Sequence, residues 1–314
     1  MDDKAVARDF SELRSHPVLA KMEPDQIEHL AELLYRKAWA RATDPNPELP
    51  AETKKRIASL DTPEEQAQAR EYAYNLNLWR ALKWYLFGGL VDVDGLCVDP
   101  FKAYDPVSNP YIKVPVSGWV RTVDEHEDPE HSRKPLPDKR YLRLLAQAWV
   151  FEPLIAVPKS RQMMVTWLFC AIGSFELLFR DNRLTGFISK RELDADKHLV
   201  RTHKIIKALP KRFGPPQASK KFAEMNCEET GSSLLALSSD PEAARQFTFS
   251  WAFFDEAAFA DYTDEIIEAV LPSTKGSGGS GIKGRFTLVS TPDGKDAFYR
   301  VVSNSGSVPM PVGK

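Results

Sequence analysis

A chain of 314 residues with 43% hydrophobic and 27% charged side chains is long enough for one large domain and a smaller one, and its balance is that of a globular protein. Its longest apolar stretch, WLFCAIGSFELLF, is too short to span a bilayer and carries Glu176, and MDDKAVARDF lacks the apolar core of a signal peptide, so a cytoplasmic protein is expected. A net charge of −2 excludes a dedicated nucleic-acid-coating protein but leaves room for a local basic face, and Cys97, Cys170 and Cys227, without a CxxC pair or histidines at ligand spacing, read as inert thiols.

The stretch DQIEHLAELLYRKAWARAT repeats apolar residues at helical spacing and predicts a first helix, which DPNPELP ends. A second helix has clear ends. Thr62 can cap it, Pro63 suits its first turn, Glu65 completes an S/T-x-x-E capping box, and Gly88-Gly89 stops the run YAYNLNLWRALKWYLF. Its apolar positions, Tyr72, Leu76, Trp79, Leu82 and Leu86, read as a packing face, with a docking surface for a partner as the alternative. Residues 1–95 are thus expected to be a helical region. Residues 96–139 are dense in Pro, Asp and Gly and predict an irregular connection, part of it mobile. Within it DEHEDPEH reads as a solvated loop, since nothing fixes a metal-binding spacing.

From residue 140 to 314 the texture changes to short β-rich runs alternating with helical ones. PLIAV (153–157), LTGFIS (184–189), SLLALS (233–238), WAFFD (251–255) and RFTLVS (285–290) read as buried strands, with VTWLFCAIGSFELLFRD and ELDADKHLVRTHKIIKALP as helices between the first three. Such alternation implies a parallel sheet covered on both faces by right-handed crossovers. Ligands of these sheets bind beyond the carboxyl ends of the strands.

At that edge lies PKSRQMMVT. Compared with G-x-x-x-x-G-K-[ST], the residues Lys159, Ser160, Arg161, Gln162, Met163, Met164, Val165 and Thr166 keep only the final hydroxyl in register, so as a pattern the match fails. The physical requirements are looser: backbone N–H groups and a helix N-terminus aimed at an anion, a cation for the β- and γ-phosphates, and a hydroxyl for Mg²⁺. Lys159 or Arg161 can supply the charge and Thr166 the hydroxyl. Taken alone, the segment reads equally as a phosphate loop or as a polar turn.

WAFFDEAAF tips that balance. Its buried strand ends in Asp255-Glu256, placing two carboxylates at the sheet's carboxyl edge, where the first can join a Mg²⁺ shell and the second can orient an attacking water. A DE pair that merely caps the next helix is the bland alternative. RFTLVSTPDG ends another strand in Ser290-Thr291-Pro292, hydroxyls placed to sense a γ-phosphate, although by itself STP is only a strand end with a turn-forming proline.

In this order the segments resemble the ATPase domain of the large terminase subunit, the motor that packages DNA into tailed-phage and related capsids. PKSRQMMVT looks like that family's deviant Walker A, WAFFDEAAF like its Walker B with the catalytic glutamate, and VSTP like its coupling motif. GSSLLALSSDPEAARQFTFS is similar to the stretch before Walker B that holds a finger arginine, here Arg245. The resemblance covers roughly residues 140–300. It implies a P-loop NTPase (ASCE/RecA-like) fold, an α/β parallel sheet flanked by helices with an N-terminal helical region. It also implies ATP and Mg²⁺ as cofactors, with Lys159 to Thr166, Ser290 and Thr291 at the nucleotide, Thr166 and Asp255 at the metal, and Glu256 and Arg245 as catalytic residues. The implied partners are double-stranded DNA, the portal protein of the procapsid and the small terminase subunit. A homo-oligomeric ring when working on the portal, with a monomer in solution as the alternative, no membrane, and the cytoplasm of the infected bacterial host complete the expectation.

Two departures stand out. Met164-Val165 occupies positions where many relatives have Gly-Lys. The family's C-terminal nuclease, an RNase H-like domain, does not fit in the 22 residues that follow Pro292, so a truncated chain is expected, or one whose nuclease is separate. DNA contacts are expected to be to backbone phosphates, with Lys283 and Arg285 as candidates against a solvated loop. A strand over residues 249–255 spans on the order of 20 Å, which puts Arg245 beyond its far end and remote from its own phosphates, free to act on a neighbour. A surface arginine paired with Asp240 or Glu242 is the alternative. Two rival readings remain: a DEAD-like helicase fragment, which would need a second RecA-like domain, and a non-hydrolysing module that docks a portal or adaptor.

Overall fold

The computed structural model describes residues 19–23, 26, 29, 30, 33, 36, 51–91, 97–98, 114–123, 133–209, 211, 214–274, 284–294 and 296–304. The first helix expected from sequence lies largely outside these residues, and the DEHEDPEH stretch and Lys283 also lie outside them. Internal contacts divide the chain into two compact units. One comprises Met1–Phe151 with Leu178–Arg180 and Lys204–Gln217, the other Glu152–Leu177, Asp181–His203 and Ala218–Lys314.

In the first unit, α1 (Ala51–Ala58) is followed by α2 (Pro63–Phe87). The capping box of α2 forms in both directions: Glu65 N donates to Thr62 Oγ1 at 3.2 Å and Thr62 N donates to Glu65 Oε2 at 3.1 Å. Losing such a cap costs about 1 kcal/mol. Burial on α2 is concentrated in its last turns, at Leu78, Leu82, Trp84, Tyr85, Leu86 and Phe87, while Tyr72 is 62% exposed. The expected packing face therefore holds only for its carboxyl half, and Tyr72 and Leu76 line an open groove of about 340 Å³ beside Ile57 of α1.

The Pro-rich stretch that follows carries short antiparallel ribbons. β1 (Gly88–Val91) pairs with β2 (Cys97–Val98) and β3 (Val114–Ser117), and β4 (Arg121–Val123) pairs with β5 (Arg133–Pro135). These ladders join distant residues such as Gly88 and Ser117, which a local pattern does not reveal. Gly118 is required by a close approach: a Cβ there would lie 2.1 Å from the Leu86 carbonyl oxygen. The next residue, Trp119, donates its N–H to Tyr85 O at 2.8 Å and sets its ring 5.4 Å from that of Trp84. α3 (Arg140–Phe151) buries Leu142, Ala146, Trp149 and Val150, the i, i+4, i+7, i+8 stripe of an amphipathic helix, and packs against α2.

The second unit is built on β6 (Leu154–Pro158), α4 (Val165–Phe179), β7 (Leu184–Ser189), α5 (Glu192–Ala208), β8 (Ser219–Lys221), β9 (Glu224–Cys227) and β10 (Ser232–Ser238). It continues with α6 (Pro241–Arg245), β11 (Trp251–Asp255), α7 (Thr263–Thr274), β12 (Arg285–Ser290) and α8 (Ala297–Asn304). The last turns of α4 and α5 group with the first unit. The sheet order is β6-β12-β11-β7-β10-β9-β8; the first five strands are parallel and the β8–β9 hairpin closes one edge antiparallel. The expected fold class is the one found, a mostly parallel α/β sheet flanked by helices, and the five strands expected from apolar runs are its parallel members. The hairpin was not expected, because SKK and EMNC are too short and polar to stand out.

β11 is buried along its whole length, as a central parallel strand should be. Alternate residues serve opposite faces. Trp251 and Phe253 meet Phe169 of α4, Phe187 and His198, whereas Ala252 and Phe254 join Ile188, Leu288, Ile266, Val270 and Phe298. Trp251 Nε1–H is satisfied by Thr287 Oγ1 at 3.0 Å. By the same alternation Asp255 belongs to the α4 and α5 face, which decides what it can touch. Cys170 and Cys227 are buried free thiols, and burial pushes the Cys170 thiol up to about 12, consistent with an inert group.

Candidate functional site

The site grows from the turn between β6 and α4. Pro158 pairs with Ser290 at the end of the β6–β12 ladder, and Lys159 N donates to Ser290 O at 2.9 Å, so the loop leaves the sheet beside the end of β12. Gln162 (φ 63°) and Met164 (φ 57°) are left-handed, the conformation that glycine adopts at little cost. Holding two other residues there costs on the order of 1 kcal/mol each, and such strain persists where surrounding structure enforces it. Left-handed residues interspersed with others are the backbone pattern from which an anion nest can be built. Val165 then starts α4, and Leu168 N donates to Met164 O. Ser160, Arg161 and Gln162 are exposed, whereas Met163, Met164 and Thr166 are half-buried.

Two contacts join this loop to the end of β11. Thr166 Oγ1–H donates to Asp255 Oδ2 at 3.0 Å, and Lys159 Nζ–H donates to Glu256 Oε1 at 2.9 Å. The Lys159 side chain is 9% exposed and that of Glu256 40%, so the lysine approaches from inside and the glutamate faces outward. Asp255 is buried, and burial pushes its carboxyl above the ordinary range. The Lys159 charge, the Thr166 hydroxyl and the Glu256 N–H, 3.1 Å from Asp255 Oδ1, pull the other way. Glu256 is itself left-handed (φ 57°, ψ 40°), which ends the strand abruptly and turns consecutive carboxylates apart.

Ser290 and Thr291 emerge beside the same edge. Ser290 is fully buried, accepts from Ala258 N at 3.0 Å and donates to Thr291 O at 3.0 Å. The end of β12 is thereby pinned to the turn that follows Glu256.

Arg245 is placed differently. α6 begins only two residues after β10, with Asp240 as its cap accepting from Glu242 N at 3.0 Å, so it leaves the carboxyl edge of the sheet. Residues 246–250 then return to open β11, with the Phe249 ring filling the space that a Cβ on Gly186 would occupy. Five residues thus separate Arg245, the last residue of α6, from the start of β11. Its guanidinium pairs with Glu242 on the exposed face of α6. Arg285 opens β12 at the opposite edge from the site.

Sequence reasoning missed His198 and Arg201. His198 lies on the buried stripe of α5 with Ala195, Leu199 and Thr202, and Nε2 stands 3.4 Å from Asp255 Oδ2. A histidine on an apolar helical stripe was the available signal.

Among the described residues no group of three or more His, Cys, Asp or Glu side chains could hold a metal, and no helix is long and apolar enough to cross a membrane. Mg²⁺ needs less, since one or two protein oxygens with waters and phosphate suffice, and Thr166 and Asp255 supply hard oxygens at one point. A buried carboxylate with its pKa pushed up is also the chemistry that a cation relieves.

No family model matches the sequence. The structure is similar to large terminases of phages. A mutant ATPase domain from Thermus phage P74-26 matches with a TM-score of 0.45 at 14% identity, over 55% of this chain and 73% of that one. The large terminase of bacteriophage HK97 gives 0.39 at 13% identity, over 54% and 35%. That of a thermophilic bacteriophage in complex with ADP gives 0.35 at 11% identity, over 46% and 35%. The chain matches about a third of the length of these last two.

Proposed function

We propose that this chain is the ATPase motor domain of a phage large terminase, coupling Mg-ATP hydrolysis in the host cytoplasm to movement of double-stranded DNA into a procapsid. The observation that carries the reading is the pair of contacts across the sheet edge, Thr166 to Asp255 and Lys159 to Glu256. A polar turn has no reason to spend its lysine and threonine on two consecutive carboxylates of a strand that is not its neighbour in the sheet. Lys159 binds phosphate oxygens, and the loop from Ser160 to Met164, left-handed at Gln162 and Met164, offers backbone N–H groups to the same anion. Thr166 and Asp255 hold Mg²⁺, which when bound neutralises phosphate charge. Phosphate competes with Glu256 for Lys159, and the freed carboxylate accepts a proton from the attacking water. Ser290 and Thr291 transmit the change to the segment after Glu256. Arg245, whose guanidinium is engaged with Glu242 and not with these groups, serves a neighbouring subunit. The portal protein and the small terminase subunit are the other proposed partners.

The test is Glu256→Gln, which keeps shape but cannot take the proton. ATP affinity should stay within about twofold while steady-state turnover falls by about 10² to 10⁴. Parent-like turnover in the variant removes Glu256 from the role. A parent protein that binds ATP but never turns it over supports the docking module instead.

A further inference from the structure

Asp255 makes one contact that the phosphate-loop reading does not use. His198 is buried on α5, with its ring 6.3 Å from that of Phe187 and 5.8 Å from that of Phe253. Arg201, one turn later, brings NH1 to 3.1 Å from His198 Nδ1. A guanidinium only donates, so Nδ1 must accept, and the ring proton is left on Nε2. Nε2 has no conventional hydrogen-bond partner among the described residues and faces Asp255 Oδ2 at 3.4 Å, the oxygen that also accepts the Thr166 hydroxyl. At 3.4 Å the two atoms are in close contact without forming a hydrogen bond, and a small movement of either group when the site is loaded would close one.

We propose that His198 is a positioning residue for Asp255, with Arg201 fixing its tautomer so that Nε2–H holds the carboxylate turned toward Thr166. The chain of contacts runs Arg201 to His198 to Asp255 to Thr166, and it ties α5 to the start of α4 through the end of β11. Residues that orient a metal-binding carboxylate typically alter metal affinity by about 10- to 100-fold when removed. The inference rests on the assignment of Asp255 to Mg²⁺ under the ATPase reading.

Equilibrium binding of fluorescent ATP, titrated with Mg²⁺ and repeated in EDTA, tests it without any turnover. His198→Leu fills the Phe-lined space but removes the donor, and the Mg²⁺ concentration giving half of the metal-dependent tightening should rise about 10-fold, with metal-free affinity unchanged. His198→Gln places an amide N–H near the position of Nε2 and should bring that concentration back to within about threefold of the parent. Arg201→Met, which keeps the histidine but frees its tautomer, should shift it in the same direction as His198→Leu and decides the matter if the leucine variant does not fold. Equal Mg²⁺ dependence in the parent, His198→Leu and Arg201→Met would overturn the proposal. So would a glutamine variant as impaired as leucine. A parent whose ATP binding ignores Mg²⁺ altogether would overturn the metal assignment of Asp255, and this proposal with it.

Discussion

Lys159 and Arg161 are two residues apart in the chain but differ in surroundings, and the difference ranks them. The lysine is nearly enclosed and already holds an anionic oxygen of Glu256, while Arg161 stands in solvent. A cation screened by protein loses little of its attraction to water, whereas an exposed one contributes far less. Lys159→Ala should therefore weaken ATP binding by about 10- to 100-fold and Arg161→Ala by about fivefold or less, in equilibrium titrations at physiological salt. Variants that both bind like the parent would reduce PKSRQMMVT to a turn. From sequence the two cations are indistinguishable, because the contact that separates them joins residues 159 and 256. The same holds for His198, visible only as a polar member of an apolar stripe. Thr166 and Asp255 are more legible, since one stands at the start of a helix after a strand and the other at the end of a buried run. Met164 shows the opposite limit: it stands where the pattern has glycine, yet its backbone, like that of Gln162, adopts the left-handed conformation that glycine would favour.

The elements legible in the sequence are those whose burial is written into consecutive residues. WAFFD, RFTLVS and LTGFIS are mostly apolar because a central parallel strand is covered on both faces, and α2 is announced by its cap and its terminal glycine. Sheet order, the β8–β9 hairpin and the β1–β3 ladder depend on pairings between distant residues, and nothing local encodes them. Gly118 is an example whose cost can be measured. Alanine there would drive a Cβ into the backbone at Leu86, Trp119 and its hydrogen bond to Tyr85 would have to shift, and neither side is a flexible side chain that can yield. Gly118→Ala should lower the stability of the first unit by about 3 kcal/mol, the upper part of the range for overpacking. Gly214→Ala is the contrast, because φ is +62° with nothing within 4 Å, so only left-handed strain of about 1 kcal/mol applies. Urea unfolding of the two variants, followed by circular dichroism, checks the ordering, and equal midpoints would mean that the chain at Gly118 has room to move.

A single chain reveals its own edges but not what they meet, so the trans role proposed for Arg245 has to be tested between subunits. The residue leaves the carboxyl edge of the sheet on a short capped helix, exposed and paired with Glu242, and makes no contact with Lys159, Thr166, Asp255 or Glu256 among the described residues. Its pairing is of the exposed i, i+3 kind, worth a few tenths of a kcal/mol, which a phosphate would readily displace. An arginine supplied to a neighbour's nucleotide contributes about 10³ to 10⁵ in rate, so Arg245→Ala alone should be almost inactive, as should Glu256→Gln alone. Their mixture separates the possibilities. In a ring of the two variants, an Arg245→Ala subunit still carries Glu256, and a Glu256→Gln subunit still carries Arg245. Wherever the second faces the first, a complete site is restored, and random equal mixing should return about a quarter of the parent's turnover if the arginine acts in trans. A residue acting on its own subunit's nucleotide gives no recovery, since every subunit then lacks one of the two groups, and a merely structural pair with Glu242 leaves Arg245→Ala active before any mixing. Co-assembly of the variants on portal rings, measured in the same samples, makes an absence of recovery count against the trans role.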